Sequence, residues 1–293
     1  MSMRLEMLQV ARLARKLLGE STELVLAFLR RQQNDDGGFK DRSGKSDLYY
    51  TVFGLDGFSA FQTDVRKDRI ANFLRCYGDG KGLDFVHLCC LARCWSTFGP
   101  AEPCPDGDGI LRRIESFRAR DGGYHPVGGS EFGTAYAAFL ALGAYQDLGG
   151  NLPGTMRLVQ SLKFLETPDG AWANERNSKT GATNATAAVV TLLRNLAVPV
   201  NPSVADWLLA RCHPAGGFLA TRSAPIPDLL STATALHALA GMQVSFEHLR
   251  DRCLDFIDSL WTNQGAFHGQ WTDDHVDCEY TYYGLLALGH LSL

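Results

Sequence analysis

Five Gly-(Gly/Ala)-aromatic triplets punctuate the chain, at Gly37-Gly38-Phe39, Gly122-Gly123-Tyr124, Gly170-Ala171-Trp172, Gly216-Gly217-Phe218 and Gly265-Ala266-Phe267. Their aromatic residues stand 85, 48, 46 and 49 positions apart. A steady period of this size marks a repeat architecture and limits the possible folds more than any single motif. The first gap is close to double the others, so one copy within it has lost its triplet. That copy shows as Asp84-Phe85-Val86-His87 followed by LCCLARCW.

Each triplet sits between two helical patterns. Those before it, such as STELVLAFLRRQQ, GILRRIESFRAR and DRCLDFIDSLW, carry charge on one face and apolar residues on the other. Such helices pack on one side and stay wet on the other. Those after it, such as EFGTAYAAFLALGAY, DLLSTATALHALAGM and DCEYTYYGLLALGHL, are nearly free of charge beyond their first residue. Their length and richness in Ala and Leu favour helix over strand, and a helix apolar all round is buried. Each unit therefore pairs an outer, half-wet helix with an inner, buried one. An open solenoid would leave both helices a solvated face and would need polar terminal caps. The chain instead ends on the apolar LLALGHLSL. The expected fold is all-α, an α6/α6 toroid of six helical hairpins with the chain ends close together. Residues 1–20 are expected to form a leading helix and residues 21–293 a single toroid domain, since no linker divides them.

A net charge of −4 and a pI near 6.1 give no electrostatic case for nucleic acid or an anionic membrane surface. No apolar run approaches the roughly 20 residues that span a bilayer, so no transmembrane segment is expected. The first 18 residues alternate charged and apolar side chains and do not read as a secretory signal. Eight scattered cysteines, two of them adjacent at Cys89-Cys90, do not suggest a disulfide framework. A cytoplasmic location with reduced thiols is expected.

The stretch from Gln33 to Phe39, QNDDGGF, followed by an acid and a buried helix, resembles the repeat of prenyltransferases and squalene cyclases. Lys163 to Trp172, KFLETPDGAW, resembles the related turn of terpene cyclases. The resemblance covers essentially the whole chain and is greatest to β subunits of protein prenyltransferases. It implies a toroid whose apolar cavity takes a prenyl diphosphate or polyprenyl lipid, and a second, α-type subunit is left open. It also implies a zinc ion held by an Asp-x-Cys opening the fifth inner helix and a His opening the sixth. Asp228 matches the first of these, but Leu230 stands in place of the Cys and Tyr280 in place of the His. A zinc site is therefore not expected and no metal ligand is assigned. Arg222 matches a diphosphate-binding position, whereas Pro225 and Ser231 depart from the family's Lys and Tyr. The Asp-x-Asp-Asp of class II cyclases is absent, and Asp273 to Asp277 spells DDxxD in a loop rather than inside a helix.

An acid opens most inner helices: Asp47, Asp84, Glu131, Asp228 and Asp277, with Thr183-Asn184 in the fourth. Acids suit helix N-termini whatever their function. In a closed toroid they would also ring one mouth of the cavity. Asp228 and Asp277 are the candidate catalytic acids, with magnesium as an open alternative role for them. Arg222, Tyr49, Tyr50, Tyr136, Tyr280 and Tyr283 are the candidate substrate-binding residues. With Phe53, Phe132 and Tyr282, the tyrosines make one side of the ring bulky, against small residues such as Ala187 and Ala233 opposite. The expected function is transfer or cyclisation of a prenyl or polyprenyl substrate. The alternative is a non-catalytic toroid that binds a lipid or a partner protein.

Overall fold

A computed structural model describes residues 1–99 and 102–293. The chain opens with α1 (Met3–Ala11), α2 (Arg15–Leu18) and α3 (Thr22–Gln32), then strands β1 (Phe39–Lys40) and β2 (Ser46–Asp47). There follow α4 (Leu48–Ala60), α5 (Lys67–Arg75), α6 (Phe85–Ser96), α7 (Gly107–Glu115), α8 (Ala135–Asp147) and α9 (Thr155–Lys163). After α10 (Thr183–Asn195), α11 (Ser203–Leu209), α12 (Leu229–Gly241) and α13 (Arg250–Ser259) come β3 (Trp261–Thr262), β4 (Ala266–Phe267) and α14 (Cys278–Leu291).

The even-numbered helices from α4 to α14 form the inner ring. Each packs on the next, and α14 packs back on α4, so the toroid is closed. The odd-numbered helices from α3 to α13 lie outside. In α5, for example, Ile70, Ala71, Phe73 and Leu74 turn inward and the charged residues outward. The fold is thus the six-hairpin α/α toroid that the repeat period predicts.

The triplets explain how each hairpin is held. Their aromatic residues Phe39, Tyr124, Trp172, Phe218 and Phe267 are buried and pair antiparallel with the residue six positions earlier. The first glycine packs against the next outer helix at Gly37, Gly122, Gly216 and Gly265, while at Gly170 the space is open. At Gly216, with φ +88°, a Cβ would fall 1.8 Å from the carbonyl oxygen of Arg252 in α13. At Gly265 it would fall 2.2 Å from that of Leu24 in α3. The last repeat therefore docks on the first in the outer layer too. Only glycine permits both the backbone conformation and the approach.

A second device links triplet to inner helix. The backbone N–H groups of Phe39, Trp172 and Phe218 donate to the hydroxyls of Thr51, Thr186 and Thr232 at 2.9, 3.1 and 2.9 Å. All three threonines are fully buried. Thr232→Val would keep the shape and orphan the Phe218 N–H. The expected loss is about 1–3 kcal/mol of stability, read by thermal denaturation. An unchanged melting temperature would show that this bond carries no net weight.

The inner helices start at one end of the ring and finish at the other. At the starting end, the Ala135, Thr183 and Leu229 N–H groups donate to carbonyls of Asn174, Ala220 and Gly269, each in the turn of the next repeat. At the finishing end, α1 lies across the opening and packs on α4, α8, α10 and α14. There the Met3 N–H donates to Gln146 Oε1 at 3.1 Å, Glu6 pairs with Arg194, and Arg4 reaches Asp56. One mouth is open and the other is plugged.

Candidate functional site

The space down the ring axis is a blind cavity of two connected lobes. Each has an empty volume of about 700 Å³, a figure that includes its open parts. Tyr49, Tyr136, Phe139 and Tyr283 wall both lobes, and Met7 of α1 lies beneath them. The deeper lobe adds Val52, Phe53, Leu140 and Tyr282. The wider lobe is bounded on its far side by Ala187, Ala188, Thr191, Leu230 and Thr234 of α10 and α12. Bulky aromatic residues thus face small ones across the axis. Tyr136 is 40% exposed, and the space it faces is this cavity.

Of the sequence-derived candidates, Tyr49, Tyr136 and Tyr283 line the cavity. Tyr50 and Tyr280 do not. Tyr50 packs edge-on against Tyr49 with centroids 5.6 Å apart, and Tyr280 lies beneath the Arg42 guanidinium, 5.7 Å from its ring centre. Phe132 is also outside the cavity, stacked on Arg176 at 3.8 Å. Arg222 sits on the exposed loop before α12 and forms no ion pair with a described residue.

The acids of the mouth are mostly helix caps. Asp47, Asp84, Asp228 and Asp277 each accept a backbone N–H of the helix they open. Glu131 does not belong to this set: it is exposed, and Thr134 caps α8 instead, accepting from the Ala137 N–H at 3.1 Å. No side chain caps α10, which Thr183 anchors by donating its hydroxyl to the Leu219 carbonyl. Asp228 binds the Ser231 N–H and hydroxyl, both at 2.7 Å, and burial pushes its pKa up. Asp277 is 4% exposed and takes an Arg42 Nε–H at 3.2 Å, and burial raises its pKa as well. Neither Asp228 nor Asp277 lines the cavity.

These surroundings do not fit the zinc site the resemblance implies. Leu230 is part of the apolar wall, Tyr280 is stacked under Arg42, and the oxygens of Asp228 are engaged by Ser231. A tetrahedral zinc site needs four nitrogen, sulfur or oxygen donors, of which only Asp228 remains. Magnesium fits no better, because Arg42 already bridges Asp273 and Asp277 at 3.3 and 3.2 Å. A guanidinium there supplies the charge that a cation would bring.

The cavity does hold one carboxyl group near its mouth, and the sequence reading passed over it. Glu279 accepts a hydrogen bond from the Tyr49 hydroxyl at 2.6 Å and lines the wider lobe. Burial pushes its pKa up to about 7; Asp277 adds to the shift, while Tyr49 and Arg42 oppose it. Burial also pushes the Tyr49 phenol up, so it stays a donor. The missed signal was positional. Two residues past the Asp277 cap is about 200° around a helix, which turns Glu279 away from the cap and toward the axis.

His87 ties two repeats together at the mouth. Its ring nitrogens contact Asp47 at 3.0 Å and Asp84 at 2.8 Å, and these partners, Asp47 first, raise its pKa to about 9 against an opposing burial effect. The folded value lies above the free value of 6.5, so the contribution is complete below pH 6.5 and is lost as pH rises through 9. The groups are part-exposed, so solvent screening limits this to about 1 kcal/mol. Thermal melts should show that loss for the parent chain and a flatter profile for His87→Gln.

Residues 8–91, 84–219 and 189–292 each match the family model described as prenyltransferase alpha-alpha toroid domain. The fold is similar to that of a variant of the type II terpene cyclase MstE from Scytonema in complex with geranylgeranyl dihydroxybenzoate, with a TM-score of 0.65 at 12% identity over 95% of this chain and 97% of that one. It is also similar to Candida albicans protein geranylgeranyltransferase-I complexed with GGPP, with a TM-score of 0.69 at 13% identity over 92% of this chain and 90% of that one. A protein from Actinoplanes gives 0.66 at 14% identity over 93% and 98%. No curated protein matches the chain in sequence. At these identities the likeness is one of fold. Among the described residues, no helix is long and apolar enough to cross a membrane.

Proposed function

The chain belongs to the prenyltransferase alpha-alpha toroid family, and from that premise we propose that it binds an isoprenoid chain in its axial cavity and acts on it by proton transfer through Glu279. The observation that carries this reading is a single carboxyl group, hydrogen-bonded to Tyr49, in the wider lobe of an aromatic blind cavity. Aromatic faces stabilise positive charge that develops on a bound chain, and the plug formed by α1 closes the far end of the cavity to water.

In this reading Glu279 is the proton donor and Tyr49 holds it in place. When the acid gives its proton to a double bond or oxygen of the chain, the Tyr49 hydroxyl keeps donating to the carboxylate left behind. The proton returns when the cyclised or rearranged chain loses one. Tyr136 and Tyr283 pack against the chain, while Arg222 stands outside the cavity on the exposed loop before α12. Asp228 and Asp277 serve as acids of the rim, holding the first turns of α12 and α14 in place. The neighbours with geranylgeranyl ligands support the choice of an isoprenoid, and the unsuitable donors around Asp228 speak against metal-assisted displacement of diphosphate.

A non-catalytic lipid-binding toroid is favoured by one observation, the apolar Leu230 where the resemblance implies a metal ligand. The test is incubation of the purified protein with C15 and C20 prenyl alcohols and diphosphates, with products read by mass spectrometry and binding by calorimetry. Binding with conversion supports the proposal. Binding without conversion supports the lipid-binding toroid, and absence of both overturns the isoprenoid reading.

A further inference from the structure

The floor of the deeper lobe is polar, although its walls are not. Arg93 and Asp147 line it beneath Val52, Phe53, Phe139 and Leu140. Asp147 is the last residue of α8, at the negative pole of that helix, where an anion gains nothing from the dipole. Its carboxyl accepts no hydrogen bond from a described residue. Burial pushes its pKa up to about 6, with Arg93 and Arg4 pulling the other way. Arg93 is anchored from behind, its Nε and one Nη donating to Asp56 at 2.9 and 2.6 Å. Arg4 donates to the other Asp56 oxygen at 3.0 Å. The Arg93 side chain nevertheless keeps 19% of its surface exposed, and the space it borders is the lobe.

Two guanidinium groups and two carboxylates leave this floor without net charge. An ionic ligand group would unbalance it, and a bare hydrocarbon end would leave the Asp147 carboxylate desolvated with no donor. A hydroxyl group meets both needs, since it can donate to Asp147 and accept from Arg93.

We propose that Asp147 and Arg93 form a subsite for a hydroxyl group, so that the ligand is an isoprenoid alcohol whose oxygen lies at the buried end of the cavity. This rests on the reading of the cavity as an isoprenoid site. A trapped water offers the same hydrogen bonds, and the test separates the two sources. Farnesol and farnesyl methyl ether differ in the O–H that would reach Asp147. Their binding to the full chain, to Asp147→Asn and to Asp147→Leu would be measured by calorimetry, with folding checked by circular dichroism. The expected result is that the parent chain prefers the alcohol by about tenfold, the worth of one hydrogen bond to a charged group. The preference should shrink in Asp147→Asn, which keeps an acceptor without the charge, and vanish in Asp147→Leu. If Asp147→Leu does not fold, Asp147→Ala takes its place. Equal binding of both compounds to the parent chain, or a preference untouched by either variant, assigns the floor to water and overturns the subsite while leaving the isoprenoid reading intact. Binding of neither compound overturns both.

Discussion

Glu279→Gln is expected to lower turnover of an isoprenoid substrate by about a hundredfold to ten-thousandfold, the usual worth of a positioned general acid. Glutamine keeps the size and the acceptor for the Tyr49 hydroxyl, so the affinity for the chain should move far less than the rate. The pH dependence gives the sign. A proton donor works in its acid form, so with a pKa of about 7 the activity should be held below that pH and fall above it. Tyr49→Phe should shift this limb upward, because it removes a donor that favours the carboxylate. A second readout does not involve activity. Glu279 has a folded pKa above its free value of 4.5, so the folded state holds the extra proton between the two. Stability should therefore fall as pH rises from 4.5 through 7, by on the order of 3 kcal/mol for a shift of this size, and level off above. Glu279→Gln should flatten that part of the profile, although Asp147 titrates in an overlapping window and leaves its own share. The groups facing Glu279 are Tyr49, Asp277 and Arg42, and of these Asp277 is the other carboxyl group, its pKa also raised by burial. Asp277→Asn is the control: the limb should persist but move below pH 7, because Asp277 adds to the Glu279 shift. If Glu279→Gln turns over substrate like the parent chain, the acid is elsewhere and the proposed mechanism is wrong.

The fold was legible because it is written many times. The spacing of Phe39, Tyr124, Trp172, Phe218 and Phe267 sets the hairpin count even though the second copy lacks its triplet. Asp84 and His87 keep that copy in phase through the cap of α6. The apolar last helix implies closure, and the contact of Gly265 with α3 is its physical form. The site was less legible, for a different reason. Periodicity tells which helices are buried but not which of their faces looks into a cavity rather than at a neighbour. Tyr49 and Tyr50 are adjacent in sequence, yet one lines the cavity and the other packs outside it. Asp228 and Asp277 stand out in the sequence because they recur at helix starts, and recurrence at that position is the signature of capping. Glu279, Arg93 and Asp147 do not recur. Each interrupts an apolar pattern once, and single charges inside buried helices were the better guide to the cavity. The Thr51, Thr186 and Thr232 hydroxyls were in the repeat all along, four residues after each inner helix's cap position. The plug could not be read at all. Arg4 meets Asp56 from 52 residues away, and Glu6 meets Arg194 from 188 away.

That plug carries the largest stability effect. Asp56 is 1% exposed and is the shared anion for Arg4 at 3.0 Å and Arg93 at 2.9 and 2.6 Å. Asp56→Ala removes the carboxylate that Arg4 and Arg93 share and leaves Asp147, to which neither donates a hydrogen bond, as the nearby counter-charge. Breaking a buried ion pair from one side costs about 3–5 kcal/mol, because the remaining charge is neither solvated nor paired. For a chain somewhat longer than those for which each kcal/mol moves the melting temperature by about 2–4 °C, the drop should be on the order of 10 °C. Arg4→Met should behave differently. It removes one cation, leaves the two Arg93 bonds to Asp56 intact, and puts an apolar side chain where α1 already presents Met3 and Met7 to the cavity. Its global cost should be the smaller of the two. Its local effect should be a looser α1, seen as faster amide exchange and earlier proteolysis in residues 3–11 than in the rest of the chain. The order of the two variants decides the point. If Arg4→Met melts as low as Asp56→Ala, the ion pair to α1 is the main support of the barrel end. If both melt like the parent chain, apolar packing alone holds the plug and the buried charges serve the cavity floor instead of the fold.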